Sequence, residues 1–150
     1  MKEQSLTASA VINFAEKLED DSSKFYQELA DRYPQNQTSF LSFATESQNN
    51  KILLVRTYRE TITDAMEACF SFKGLKLNRS EIRGMSEKNI TYAGALKIAV
   101  ELETTATEFY FNALKCSKEL LATISQSFGK VGQRRKKRML ELELMLKNNG

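Results

Sequence analysis

Apolar and polar residues alternate with a helical period in four separate stretches of this chain. The first begins near Ser5 or Thr7, either of which is a good N-cap. It ends near Tyr33, because Pro34 disfavours the helical conformation in the residue before it. Its inner stripe advances by three and four residues alternately, through Ile12, Ala15, Glu19, Ser22, Tyr26 and Leu29. The stretch therefore predicts an amphipathic helix with a carboxylate on its apolar side.

The second stretch follows a short polar turn at residues 35–38 and predicts a helix to about Phe70. One side of this helix carries Phe40, Phe43, Ser47, Asn50, Leu54, Thr61 and Ala65. Since the connection is short, the first two helices should form an antiparallel hairpin.

The third and fourth stretches repeat the first two. Residues 94–114 align with residues 10–30 at a constant offset of 84, which matches Glu103 with Glu19. The third helix is predicted from about Thr91 to Leu114. The fourth, from about Glu119 to Lys147, repeats the second at an offset of 88 and matches Phe128 with Phe40. Two similar hairpins, residues 5–70 and 91–147, predict one pseudo-symmetric bundle in a single domain, residues 1–150.

The segment between the hairpins, residues 71–91, holds two of the six glycines and shows no sustained periodicity. Fully extended at about 3.3 Å per residue, it could reach roughly 70 Å. The second helix is shorter, about 50 Å at 1.5 Å per residue. The sequence therefore predicts a bundle with one long crossover between helices two and three.

Composition supports an all-α class, because the chain has a single proline and is rich in strong helix formers. The N-terminal residues lack a secretory signal, and no stretch is apolar enough to span a membrane. We therefore expect a cytoplasmic protein without a membrane partner. Cys69 and Cys116 form no CxxC pair, and in a reducing compartment we expect buried thiols rather than a disulfide or a ligand pair.

The pattern A-x3-E-x5-F-Y-x2-L occurs at residues 15–29 and again at residues 99–113, where Ala113 replaces the final leucine. With F-x2-hydrophobic in each following helix, this pattern resembles the rubrerythrin-like branch of the ferritin superfamily, over nearly the whole chain. The resemblance implies a ferritin-like antiparallel four-helix bundle. In usual members it also implies a di-iron centre for oxidation chemistry, often peroxide reduction. Such centres use one Glu from each of two helices and Glu-x-x-His from the other two.

This chain keeps only part of that ligand set. Glu19 and Glu103 occupy the single-glutamate positions. The family places Glu seven and His ten residues after the first Phe of helices two and four, and those positions hold Ser47, Asn50, Arg135 and Arg138. Histidine is absent from the chain, so both Glu-x-x-His motifs are lost. Glu46 lies beside a lost position, but its side chain should point about 100° away.

The two arginines keep the charge balance that metal ions would provide. An intact reduced site has four carboxylates and two divalent ions, whereas here two carboxylates would face two guanidinium groups. We interpret Glu19, Glu103, Arg135 and Arg138 as a salt-bridged polar layer. Its other hydrogen-bond partners are expected to be Ser47, Asn50, Tyr26 and Tyr110. We expect no bound metal, no cofactor and no catalytic residue there.

Six cations fall within residues 130–138, so the rest of this chain of net charge +3 is negative. The consecutive run 134–138 could bind nucleic acid or an anionic membrane. Five consecutive residues spread around a helix, however, and only Arg134, Lys136 and Lys137 would face solvent. We therefore expect no specific nucleic-acid partner.

Three functions stay open. The favoured hypothesis is a non-catalytic structural or interaction module that has lost its di-iron centre. One alternative is a non-haem iron oxidoreductase, of the peroxide or iron oxidation type, with residual metal at Glu19 and Glu103. Another is a nucleic-acid-associated protein that uses the run 134–138. Surplus apolar residues on helices two and four predict a homodimer or an unknown protein partner; they are Leu53, Leu54, Val55, Met139, Leu142, Leu144, Met145 and Leu146.

Overall fold

The computed structural model describes residues 7–61, 90–117 and 122–149. Its four helices are α1 (Ala8–Arg32), α2 (Gln37–Thr61), α3 (Tyr92–Ser117) and α4 (Ala122–Asn149), with a 3-10 turn at Pro34–Asn36. Extensive packing joins α1 to α2 and α3 to α4, while α2 meets α4 more sparsely and α1 meets α3 at only a few positions. The predicted all-α bundle of two hairpins is confirmed.

Local hydrogen bonds set the helix ends. Thr7 is the N-cap of α1, and its hydroxyl accepts a 3.1 Å hydrogen bond from the backbone N–H of Ala10. At the start of α3, the hydroxyl of Thr91 accepts a 3.0 Å hydrogen bond from the backbone N–H of Gly94 and caps that helix in the same way. The predicted turn at residues 35–38 is wrong for Gln37 and Thr38, which are helical. The 3-10 turn opened by Pro34 leads straight into α2, so the connection is shorter than expected.

Contacts at one end of the bundle bring the starts of α2 and α3 together. The hydroxyl of Tyr33, just after α1, donates to the carbonyl of Ile90 at 3.0 Å, and the side chain of Asn36 donates to the hydroxyl of Tyr92. The starts of α2 and α3 therefore lie together, and the two helices run parallel. Thr61 lies at the other end, which agrees with one long crossover.

Several expectations lie outside the described residues. These are residues 62–70 of the second helix, all of the crossover 71–91 except its last two residues, Cys69, and the predicted start of the fourth helix at Glu119.

Two apolar clusters fill the ends of the interior. One includes Val11, Leu54 and Phe128, and the other includes Leu29 and Leu96. Between them along α1 and α4 the inward positions are polar. The core is therefore interrupted by a polar layer near the middle of the bundle.

Thr57 adds a residue to the side of α2 that the sequence outlined. Thr57 is buried, whereas Thr61 is half-buried. The hydroxyl of Thr57 lies 2.9 Å from that of Ser127 on α4. Thr57 is therefore a threonine of α2 that meets α4.

Candidate functional site

Arg135 is the centre of the buried polar layer. Its Nη2 lies 2.9 Å from Oε2 of Glu19, and its Nη1 lies 2.7 Å from Oε2 of Glu103. Nη2 also donates to the hydroxyl of Ser22 at 2.7 Å, and Nε donates to Glu19 at 3.2 Å. Arg135 and both carboxylates are fully buried. One guanidinium group thus bridges the carboxylates of α1 and α3, and all three of its nitrogens donate hydrogen bonds.

Each carboxylate also accepts a hydrogen bond from a tyrosine of the opposite hairpin. The hydroxyl of Tyr26 donates to Oε2 of Glu103 at 2.5 Å, and that of Tyr110 donates to Oε2 of Glu19 at 2.6 Å. Burial raises the pKa of both tyrosines well above the ordinary value of 10.0, and the adjacent carboxylates raise it further. Both phenols are therefore neutral donors at physiological pH.

Arg138 is held less firmly than its neighbour. Its Nη1 donates to Ser47 at 2.9 Å and lies 3.5 Å from Glu103, while Nη2 donates to Oε1 of Glu46 at 2.7 Å. Its guanidinium carbon lies 5.3 Å from the ring centroid of Tyr26, a cation–π distance. Its Nε is buried without a hydrogen-bond partner among the described residues. The two arginines are thus inequivalent, and the closest ionic partner of Arg138 is half-exposed.

Asn50 links the layer to the surface. Its Nδ2 donates to Oε1 of Glu19 at 3.0 Å, and its Oδ1 accepts from Nη1 of Arg134 at 2.9 Å. Two expectations are corrected here. Glu46 does not point away from the layer but binds Arg138, and Arg134 does not simply face solvent but is half-buried against Asn50. Both side chains are long enough to reach round the edge of their helices.

The structure brings together all eight residues that the sequence assigned to this site, namely Glu19, Tyr26, Ser47, Asn50, Glu103, Tyr110, Arg135 and Arg138. It adds Ser22, Glu46 and Arg134. A sequence signal existed for Ser22, which lies on the inner stripe one turn after Glu19. For Glu46 and Arg134, the sequence showed only that a long charged side chain stands next to a position that faces inward.

Electrostatics keep the arginines charged. Burial by itself lowers the pKa of Arg135, but Glu103 and Glu19 outweigh that effect and raise the pKa above its ordinary value. Burial is also the largest effect on Arg138 and lowers its pKa, but Glu103, together with Tyr26 and Glu19, outweighs burial and the neighbouring Arg135, so the pKa is raised. With the half-buried Glu46 and Arg134 included, three carboxylates face three guanidinium groups. The layer is therefore neutral.

The donor set does not suit a di-metal centre. The guanidinium group of Arg135 lies between Glu19 and Glu103, where an ion bridging them would have to lie. Residues 7–61, 90–117 and 122–149 contain no group of three or more His, Cys, Asp or Glu side chains able to hold a metal ion. Cationic donors cannot ligate a metal, and the chain has no histidine to replace them.

The basic run does not form one surface. Arg135 and Arg138 are buried and Arg134 is half-buried, which leaves Lys136 and Lys137 exposed. Within the run 134–138, the exposed cations are therefore these two lysines. No described helix is long and apolar enough to cross a membrane.

Comparison with known proteins supports the fold. The chain is similar to the crystal structure of a Thermotoga maritima protein that is provisionally assigned as a ferritin-like diiron-carboxylate protein. The TM-score is 0.83 at 17% sequence identity, over 99% of this chain and 100% of the other. No protein-family model and no curated protein matches the sequence. The chain therefore has a ferritin-like fold.

Proposed function

We propose that this protein is a rubrerythrin-like bundle in which an internal ion-pair layer has replaced the di-iron centre, and that it acts as a non-catalytic structural or interaction module. The observation that carries the proposal is Arg135, whose guanidinium group bridges Glu19 and Glu103 at 2.9 and 2.7 Å. A cation supplied by α4 takes the charge-neutralising role that an iron ion has in the family.

The layer suits a structural role. Buried ion pairs add little net stability compared with apolar packing, but breaking one is costly because a buried charge is left without a partner. Glu19, Glu103 and Arg135 come from three different helices, so only one relative arrangement of α1, α3 and α4 satisfies them. We propose that the layer fixes the packing of the two hairpins.

An assay with added Fe(II) tests the absence of catalysis. The protein is incubated with Fe(II) and peroxide, and iron oxidation and peroxide loss are followed. A Glu19→Gln variant is the matched control, because it keeps the shape of the side chain, removes one of the two possible carboxylate ligands and leaves Glu103 to pair with the buried Arg135. We expect no rate above that of the control. A rate that Glu19→Gln abolishes would establish the oxidoreductase alternative instead.

We also propose that the protein self-associates through α2 and α4. The large apolar side chains that are exposed among the described residues all lie on these two helices, namely Leu41, Ile52, Leu140 and Leu144. Ile52 and Leu140 are equivalent at the offset of 88. Sedimentation should show a dimer that Leu140→Ser with Leu144→Ser weakens, while Lys97→Ser on α3 does not. A monomer at every concentration would contradict the proposal.

A further inference from the structure

A groove of about 530 Å³ lies on the outer side of α2, beside α4 and next to the buried layer. Its lining is polar apart from one side chain that also belongs to the apolar surface described above, and consists of Thr38, Leu41, Ser42, Thr45, Glu46, Asn49 and Arg134. The volume falls in the range of small-molecule sites, about 300–1,000 Å³. Three hydroxyls, an amide, a carboxylate and a guanidinium group therefore face one shared space.

Arg134 is a prepared anchor in this groove. Its Nη1 donates to Asn50 at 2.9 Å, and Asn50 is itself held by the buried Glu19 at 3.0 Å. These contacts hold the guanidinium group in place. Within the part of the chain that the structure describes, Arg134 has no carboxylate partner, and its Nη2 and Nε donate no hydrogen bond. An oriented, half-buried cation thus keeps one planar edge for a ligand.

The groove has one charged group whose hydrogen-bond donors are left for an anion. The Glu46 carboxylate is engaged by Arg138, whose Nη2 lies 2.7 Å from it. Arg134 is therefore the charged side chain of the groove that keeps donors for a ligand. A guanidinium edge matches the two oxygens of a carboxylate in a bidentate pair. A phosphate dianion would carry excess negative charge beside Glu46 and is disfavoured.

We propose that this groove binds a small organic carboxylate. Arg134 holds the carboxylate group, and the hydroxyls of Ser42 and Thr45 with the amide of Asn49 position the remainder of the molecule. This binding role goes beyond the structural function proposed above. Carboxylate binding is measured at the groove, so its result is independent of whether the buried layer holds a metal ion.

A nuclear magnetic resonance titration with propionate tests the site. Propionamide, its neutral isostere, and inorganic phosphate are titrated in parallel. Propionate should shift the backbone amides of Ser42, Thr45 and Asn49 saturably, with a Kd of about 1 mM, as suits a fragment. Propionamide should have no effect, and phosphate should bind at least about tenfold more weakly. Equal binding of phosphate and propionate, or no saturable shift with propionate, would overturn the proposal.

Substitutions in and outside the groove test whether propionate binds there. Arg134→Lys keeps the charge but loses the planar edge, and should weaken propionate binding about tenfold. Ser42→Tyr fills the groove and leaves Arg134 intact, so it should block binding without affecting the anchor. Lys136→Ala, an exposed position on the same helix, is the matched control and should bind normally. Unchanged binding in both groove variants would place the ligand elsewhere and refute the assignment.

Discussion

The hydroxyl of Tyr110 donates a 2.6 Å hydrogen bond to the carboxylate of Glu19, which lies 91 residues earlier in the chain. Tyr26 and Glu103 repeat this relationship at 2.5 Å. Equivalent residues of the two hairpins therefore exchange hydrogen bonds across the bundle. The exchange joins α1 to α3, two helices that otherwise have little contact.

Tyr26→Phe should lower the free energy of unfolding by about 1–3 kcal/mol, because a buried carboxylate loses a donor. Tyr110→Phe, its equivalent, should have a similar effect in urea unfolding. Tyr33→Phe is the control, since the Tyr33 hydroxyl donates to a neutral backbone carbonyl in a half-buried position. Equal losses for Tyr26→Phe and Tyr33→Phe would show that the charged acceptor adds nothing.

Base titration should reveal the burial of Tyr26 and Tyr110. Burial, and then the adjacent carboxylates, raise the pKa of Tyr26 and Tyr110 above 10.0 in the folded protein. Above about pH 10 the unfolded chain loses these protons first, so their contribution to stability is complete below that pH and is lost as the pH rises further. Phenolate absorbance from two tyrosines should therefore appear only with loss of helical circular dichroism. Ionisation of all five tyrosines in the folded state would contradict this.

Arg135→Ala should destabilise the protein by about 3–5 kcal/mol, because it leaves Glu19 and Glu103 buried without their shared cation. Arg138→Ala should cost less, since the side chain of its partner Glu46 is 36% exposed and can be hydrated. Lys137→Ala, at an exposed position, should stay within about ±0.5 kcal/mol. Thermal and urea unfolding measure all three. Equal, small effects would mean that the arginines are not in the core.

Gly129 and Gly132 of α4 differ in the space available for a Cβ atom, so substitutions to alanine at these two positions can be compared. A Cβ at Gly132 would lie 3.2 Å from the ring of Phe111 and 3.3 Å from Cβ of Tyr110, closer than ordinary contact. At Gly129 the nearest atoms, on Leu114, would be at 3.6 Å. Gly129→Ala should therefore stabilise the helix by about 0.4–1 kcal/mol. Gly132→Ala should destabilise the protein, because α4 must move away from α3. Stabilisation by both substitutions would show that the close approach at Gly132 is unimportant.

The helical period and the internal repeat are sufficient to predict the bundle and most of the layer. The direction of a Cβ atom depends only on position along a helix. The offsets of 84 and 88 therefore place Glu19, Glu103, Arg135 and Arg138 on inner faces from the amino-acid sequence alone. The long crossover follows from the length of the segment between the hairpins.

The helical period does not predict where the end of a long side chain lies, or how far apart two helices pack. A helical wheel assigns Glu46 and Arg134 to the outside, although the ends of both side chains turn back between α2 and α4. Arg135 and Arg138 differ in the carboxylates and hydroxyls that lie within hydrogen-bonding distance of each. The helical period gives the direction of each side chain but not these distances. The contact between Thr57 and Ser127 likewise depends on how α2 approaches α4.

Metal analysis of protein purified from iron-replete cells tests the replacement of the di-iron centre most directly. Mass spectrometry of the digested protein should find iron and manganese well below one ion per chain, because Arg135 occupies the space between Glu19 and Glu103. A Glu19→Ala variant purified in parallel corrects for adventitious binding and should give the same low value. Stoichiometric iron in the unaltered protein, lost in Glu19→Ala, would contradict the account.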